Sequence, residues 1–124
     1  MFYEETYMAA RDYLGRVREA KETIDVLEKR MALRREIGAD VEELEGELAN
    51  ARDVLKVCKA DTAETISHLG KAKVQMVMLL RYVELKTWEQ IAEEMDLTVR
   101  RIQSLHGAGL VSLEEQLTRD GDEV

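Results

Sequence analysis

Residues 71–117 read KAKVQMVMLLRYVELKTWEQIAEEMDLTVRRIQSLHGAGLVSLEEQL. Apolar residues in the centre of this stretch recur at the spacing expected of two short helices that cross over a tight turn. These apolar positions are Ile91, Ala92, Met95, Leu97, Ile102 and Leu105. A third apolar segment, residues 74–80, precedes them. The pattern therefore predicts a helix followed by a helix-turn-helix unit over residues 70–117.

Polar residues mark the expected ends of the two crossing helices. Thr87 is placed to cap the first helix, and Gln90 three residues later completes a capping box. Asp96 stands at the turn corner, where the backbone becomes left-handed, and aspartate tolerates that conformation better than most residues. Thr98 is placed to cap the second helix, which we predict over residues 98–117.

The second helix turns a polar face away from the predicted core. Because Ile102 and Leu105 face inward, their polar neighbours face outward, and in DNA-binding versions of this unit that face enters the major groove. We predict that Arg100, Gln103 and Ser104 contact bases. The full candidate DNA-binding set is Thr87, Trp88, Thr98, Val99, Arg100, Arg101, Gln103 and Ser104.

The sequence also predicts the surroundings of three further residues of this helix. Gly107 and Gly109 each cost about 1 kcal/mol relative to alanine inside a helix. They predict either a weaker helix or the close approach of a partner backbone. His106 is expected to face solvent or to reach a phosphate.

The same stretch resembles region four of the sigma-seventy factors of bacterial RNA polymerase, and it is more similar still to small phage regulators of the ArpU and RinA type. The matching positions are the Arg-Tyr pair at 81–82, the Trp-Glu-x-Ile-Ala helix at 88–92, and Gly109, Leu110 and Leu113. The resemblance implies a phage-encoded, sequence-specific DNA-binding transcription regulator of the late-gene activator type. It further implies double-stranded DNA and RNA polymerase as partners in a bacterial host cell.

Ahead of this unit, residues 1–69 have the pattern of two long helices. Residues 4–37 place apolar side chains at steps of three and four, and residues 41–69 repeat that spacing, which is the seam of a coiled coil. Between them, residues 37–40 include Gly38, which suits a helix end. The short link predicts an antiparallel helical hairpin, coiled-coil-like, in an all-α protein. Because small residues such as Ala20 and Ala51 make the seam thin, we expect a homodimer.

The negative charge of the chain opposes binding to DNA, which is itself an anion. The chain carries a net charge of -8, of which residues 38–69 hold -5 and residues 70–124 hold -3. A single copy should therefore bind DNA weakly and need dimerisation or RNA polymerase. Two alternatives stay open: a protein-interaction module, and a DNA-packaging adaptor like a small terminase subunit, which a ring-shaped oligomer would favour.

The sequence has no signature of catalysis. It lacks a phosphate-binding glycine loop and zinc-ligand spacing, so we expect no enzyme activity, cofactor, metal or small-molecule substrate. The longest apolar run is too short to span a bilayer, and one cysteine, Cys58, fits a reducing cytoplasm. Residues 118–124 form an acidic tail that we expect to be disordered.

Overall fold

The computed structural model describes residues 6–122, and in that range the chain is helical with no β-strand. The helices are α1 (Met8–Leu14), α2 (Arg16–Glu36), α3 (Glu42–Ile66), α4 (Ala72–Tyr82), α5 (Trp88–Met95) and α6 (Val99–Asp122). The predicted all-α class is confirmed. None of these helices is both long enough and apolar enough to cross a membrane.

The first long helix is interrupted, which differs from the single helix predicted over residues 4–37. The break falls at Gly15, between α1 and α2, and residues 4–5 lie outside the described part of the chain. Glycine is a poor helix former, and α1 is held from outside its own helix: the backbone N–H of Ala10 donates to Glu114 Oε1 of α6 at 2.9 Å. Helix α1 therefore has a contact with α6 that the predicted single helix did not include.

The predicted hairpin is present as α2 packed against α3. Gly38 takes a left-handed conformation with φ +73°, and the amides of Gly38 and Ala39 donate to the carbonyls of Arg35 and Arg34. This pattern is the Schellman ending, which closes a helix and lets the chain reverse. The buried core of the hairpin is small and consists of Ile24, Leu27, Met31, Leu44 and Leu48.

A larger core holds the C-terminal helices together. Most of its buried members come from α4, α5 and α6, and they include Val77, Met78, Ile91, Ile102 and Leu113. The predicted hairpin region, residues 1–69, also contributes to this core. Ala10, Leu14, Ile66 and Leu69 belong to the same cluster. The base of the hairpin is therefore packed into the C-terminal core.

Helix α6 is longer than predicted. It continues to Asp122 instead of ending at Leu117, so the segment 118–122 that we expected to be disordered is helical, and residues 123–124 lie outside the described part of the chain. The Thr118 hydroxyl donates to the carbonyl of Glu114 at 2.7 Å, within the helix. Without proline, nothing in the sequence at Leu117 stops the helix.

Candidate nucleic-acid interface

Helix α5 begins with the predicted capping box. The backbone N–H of Gln90 donates to Thr87 Oγ1 at 3.1 Å, and the backbone N–H of Thr87 donates to Gln90 Oε1 at 2.9 Å. Two of the amides that a helix start leaves without partners are satisfied in this way. The start of α5 is therefore fixed by two residues three positions apart.

The turn after α5 also follows the prediction. Asp96 is left-handed, with φ 55° and ψ 47°, and the amides of Asp96 and Leu97 donate to the carbonyls of Glu93 and Ala92. These two bonds form a second Schellman ending, with aspartate where glycine is usual. Ala92 is buried, so α5 presents a small side chain to the core at the turn.

Helix α6 starts three residues later with the predicted cap. Thr98 Oγ1 accepts from the backbone N–H of Arg101 at 3.1 Å. Ile102 is fully buried and Leu105 nearly so, which fixes the rotation of the helix. The opposite side of its first two turns is exposed and polar, and it carries Arg100, Arg101, Gln103 and Ser104.

The candidate residues divide by exposure. Arg100, Arg101, Gln103 and Ser104 form one exposed surface on α6, and Thr87 and Thr98 are exposed at the two helix starts. Val99 and Trp88 are half-buried and pack against the C-terminal core instead of projecting into solvent. We call the four exposed α6 residues with Thr98 the polar face of α6.

A group of ring side chains joins three helices, and the sequence pattern did not predict it. Tyr82 Oη and His106 Nε2 are hydrogen-bonded at 2.6 Å, and their rings stack with centroids 5.6 Å apart. The His106 ring also meets Trp88 edge-to-face at 4.7 Å. The Arg81 guanidinium lies over the same indole ring, 4.2 Å from its centroid. The cluster ties α4, α5 and α6 together.

His106 therefore does not face solvent as predicted, because it is half-buried against Tyr82 and Trp88. Burial, reinforced by the positive charges of Arg11 and Arg81, lowers the pKa of His106 to about 4. The ring is neutral near pH 7 and serves as a half-buried hydrogen-bonding residue between α4 and α6. The available signal was its position four residues after Ile102, on the inward side of the helix.

The two glycines of α6 differ in their surroundings. A Cβ at Gly107 would meet nothing within 4 Å, whereas a Cβ at Gly109 would lie 2.6 Å from Met78 Sδ and 2.9 Å from Met78 Cγ. The close approach expected at these glycines is thus made at Gly109, by the Met78 side chain of α4 and not by a partner backbone.

The electrostatics around the polar face are mixed. Within residues 6–119, neither Arg100 nor Arg101 forms an ion pair. The outer side of α5 is acidic, with Glu89, Glu93 and Glu94 exposed. Lys86 forms ion pairs with Glu94 at 2.6 Å and with Glu84 at 3.4 Å. The two arginines are therefore the cations that this surface leaves available to an anionic partner.

The described residues contain no group of three or more His, Cys, Asp or Glu that could hold a metal ion. No protein-family model, curated protein or solved structure matches this chain. Functional assignment therefore depends on the local geometry and charge of the polar face.

Proposed function

We propose that this chain is a sequence-specific DNA-binding transcription regulator of the phage late-gene activator type, acting as a homodimer in a bacterial cytoplasm and assisted by RNA polymerase. Its second crossing helix, from residue 98 to residue 117, would read the major groove. The observation that carries the proposal is the polar face of α6. Two arginines without an ion-pair partner among residues 6–119 lie there in the first turn of a capped helix, directly after a three-residue turn.

Some residues of that face are suited to contact base edges, and others are suited to contact phosphates. An arginine such as Arg100 can bridge guanine, and a glutamine such as Gln103 can bridge adenine. Arg101 and the Thr98 hydroxyl lie beside the N-terminus of α6, where backbone amides and the helix dipole favour a phosphate. Thr87 and Trp88 begin α5, the helix that crosses the DNA backbone in this kind of unit.

The decisive experiment measures binding to mixed-sequence duplex DNA by fluorescence anisotropy over a series of salt concentrations. We expect affinity to fall steeply with salt. Arg100→Ala/Arg101→Ala should reduce the magnitude of the slope of log K against log salt by about 0.9, for the one phosphate contact assigned to Arg101. Loss of Arg100, which is assigned to a base, should relax base preference. Arg100→Glu/Arg101→Glu should abolish binding.

A matched control separates the polar face from the overall charge of the chain. Lys56→Glu/Lys59→Glu changes the net charge equally at two exposed positions of α3 in the hairpin. It should leave most of the affinity intact. Equal losses in the two double variants would contradict a localised interface, and a flat signal at low salt for the wild-type chain would refute DNA binding by the isolated protein.

The acidic outer side of α5 favours a second candidate function. Glu89, Glu93 and Glu94 would face the phosphates if α5 crossed a DNA backbone, which is electrostatically unfavourable. They suit a basic protein surface instead, as in a protein-interaction module that keeps the helix-turn-helix shape. Under that function, Glu89→Lys/Glu93→Lys would weaken partner binding, whereas under DNA binding the same variant would raise affinity for duplex DNA.

A further inference from the structure

The two grooves between α2 and α3 differ in how they are closed. One groove is spanned by an ion pair between Arg52 and Glu28 at 3.2 Å, and we call it the bridged groove. The other, the open groove, has a volume of about 670 Å³ and is lined by residues that include Thr23, Val26, Arg30, Glu47 and Asn50. None of these five residues forms an ion pair within residues 6–119.

Large apolar side chains are exposed on the hairpin next to its small core. Val26, Leu33, Ile37, Val54 and Val57 are each more than half exposed. Val26 lines the open groove directly, and Val54 lies one helical turn beyond Asn50 on α3. A partner that covered this groove would remove the Val26 and Val54 side chains from water, which favours a protein partner there.

The charges along the open groove are ordered. Arg30 and Glu47 lie at the same level, because both line the main groove and also the smaller hollow toward the hairpin tip. In that hollow Arg34 lies on the α2 side and Glu43 on the α3 side. The α2 edge near the tip is therefore basic and the α3 edge is acidic.

We propose that a second copy of this chain docks on the open groove, with the two hairpins side by side, pointing the same way, and related by a two-fold axis parallel to them. This symmetry sets α2 of each copy against α3 of the other, running in opposite directions. Arg30 of one protomer then faces Glu47 of the partner subunit, and Arg34 faces Glu43 of the partner subunit. Both contacts occur twice, and each joins opposite charges.

The same geometry assigns an apolar contact nearer the C-terminal core. Seven residues make nearly two helical turns, so Thr23 and Val54 lie level with each other and on the same side as Arg30 and Glu47. Thr23 of one protomer would meet Val54 of the partner subunit.

The available area is sufficient for a specific dimer. At about 1.5 Å per residue, α2 gives a face on the order of 30 Å long. Two helices about 8–10 Å apart make that face roughly 20 Å wide. The resulting area, on the order of 600 Å² per copy, approaches the roughly 800 Å² per partner of standard interfaces. Charge and area therefore both favour a second copy.

This inference deepens the homodimer of the proposed function by naming its surface, and its test omits DNA so that the two can fail separately. Sedimentation equilibrium on the full chain should show a dimer. Arg30→Glu should weaken it by about 30-fold, equivalent to about 2 kcal/mol at 1.4 kcal/mol per factor of ten. The matched control is Arg35→Glu, the same change five residues along α2 in the bridged groove, which should shift the dissociation constant by less than about 3-fold.

A charge exchange tests the pairing itself. Arg30→Glu/Glu47→Arg should restore dimerisation, because each Glu at position 30 would face an Arg at position 47. In a Cys58→Ser background, mixing Thr23→Cys chains with Val54→Cys chains should give a disulfide-linked dimer that neither variant forms alone. A wild-type monomer at every concentration, equal effects of Arg30→Glu and Arg35→Glu, no restoration by the exchange, or cross-linking of Thr23→Cys alone would each overturn the proposal.

Discussion

Replacing the two glycines of α6 by alanine should change stability in opposite directions. Gly107 and Gly109 lie two residues apart in the same helix, and each alanine gains about 1 kcal/mol of helix propensity. At Gly107 the new methyl group meets nothing within 4 Å, so the gain is kept. At Gly109 the methyl group would overlap Met78 Sδ, Cγ and Cε, at 2.6, 2.9 and 3.0 Å.

The cost at Gly109 depends on whether Met78 can move. Methionine is flexible, but Met78 has no exposed surface, and the overlap includes Cγ as well as the end of the side chain. Overpacking of this kind costs about 1–3 kcal/mol, which exceeds the propensity gain. We expect Gly109→Ala to lose on the order of 1 kcal/mol and Gly107→Ala to gain about 1 kcal/mol, a difference of roughly 2 kcal/mol.

Urea unfolding followed by far-UV circular dichroism measures both changes, with constant m-values as the check that the unfolding transition is unchanged. A double-mutant cycle then identifies the cause. In a Met78→Ala background, itself about 2–5 kcal/mol less stable, Gly109→Ala should become stabilising, with a coupling energy of about 2 kcal/mol. Stabilisation by Gly109→Ala in the wild-type background, equal to that by Gly107→Ala, would refute the packing of Met78 on α6.

Two further predictions concern buried polar groups. Thr62 is fully buried and its hydroxyl has no hydrogen-bond partner among the described residues, so Thr62→Val should stabilise the protein by about 1 kcal/mol in urea unfolding. Thr65→Val is its control, and it should destabilise because Thr65 Oγ1 is bonded to Tyr13 Oη at 2.7 Å. The pKa of His106, about 4, lies below the unfolded value of about 6.5, so its contribution to stability is present above about pH 6.5 and is lost as pH falls toward 4. Between pH 7 and pH 5 the wild type should therefore lose more unfolding free energy than His106→Gln, and equal losses would contradict this account.

The sequence predicted the features that neighbouring residues decide. The Thr87–Gln90 capping box, the left-handed Asp96 and the Thr98 cap each involve residues within a few positions, so the pattern of side chains was enough. The hairpin followed from a regular seam and a short link. These predictions are confirmed by the described residues.

Contacts between distant parts of the chain were not predicted. Tyr82 and His106 are 24 residues apart, and the backbone N–H of Ala10 and Glu114 are 104 residues apart. No local pattern encodes such pairings, because they arise only when α1, α4 and α6 pack together. For this reason the sequence does not predict the Tyr82 partner of His106 or the Glu114 partner of Ala10.

These distant contacts bear on how two polar faces could act together. Leu14 and Ile66, at the base of the hairpin, share one buried core with Ile102 of α6, so the base of the hairpin and α6 should move as a unit. If two chains join along the open groove, the hairpin surface that aligns them is connected to the polar face of α6 through packed side chains and not through a flexible linker. The separation of the two faces would then be set by the dimer, and half-sites at other spacings would bind more weakly.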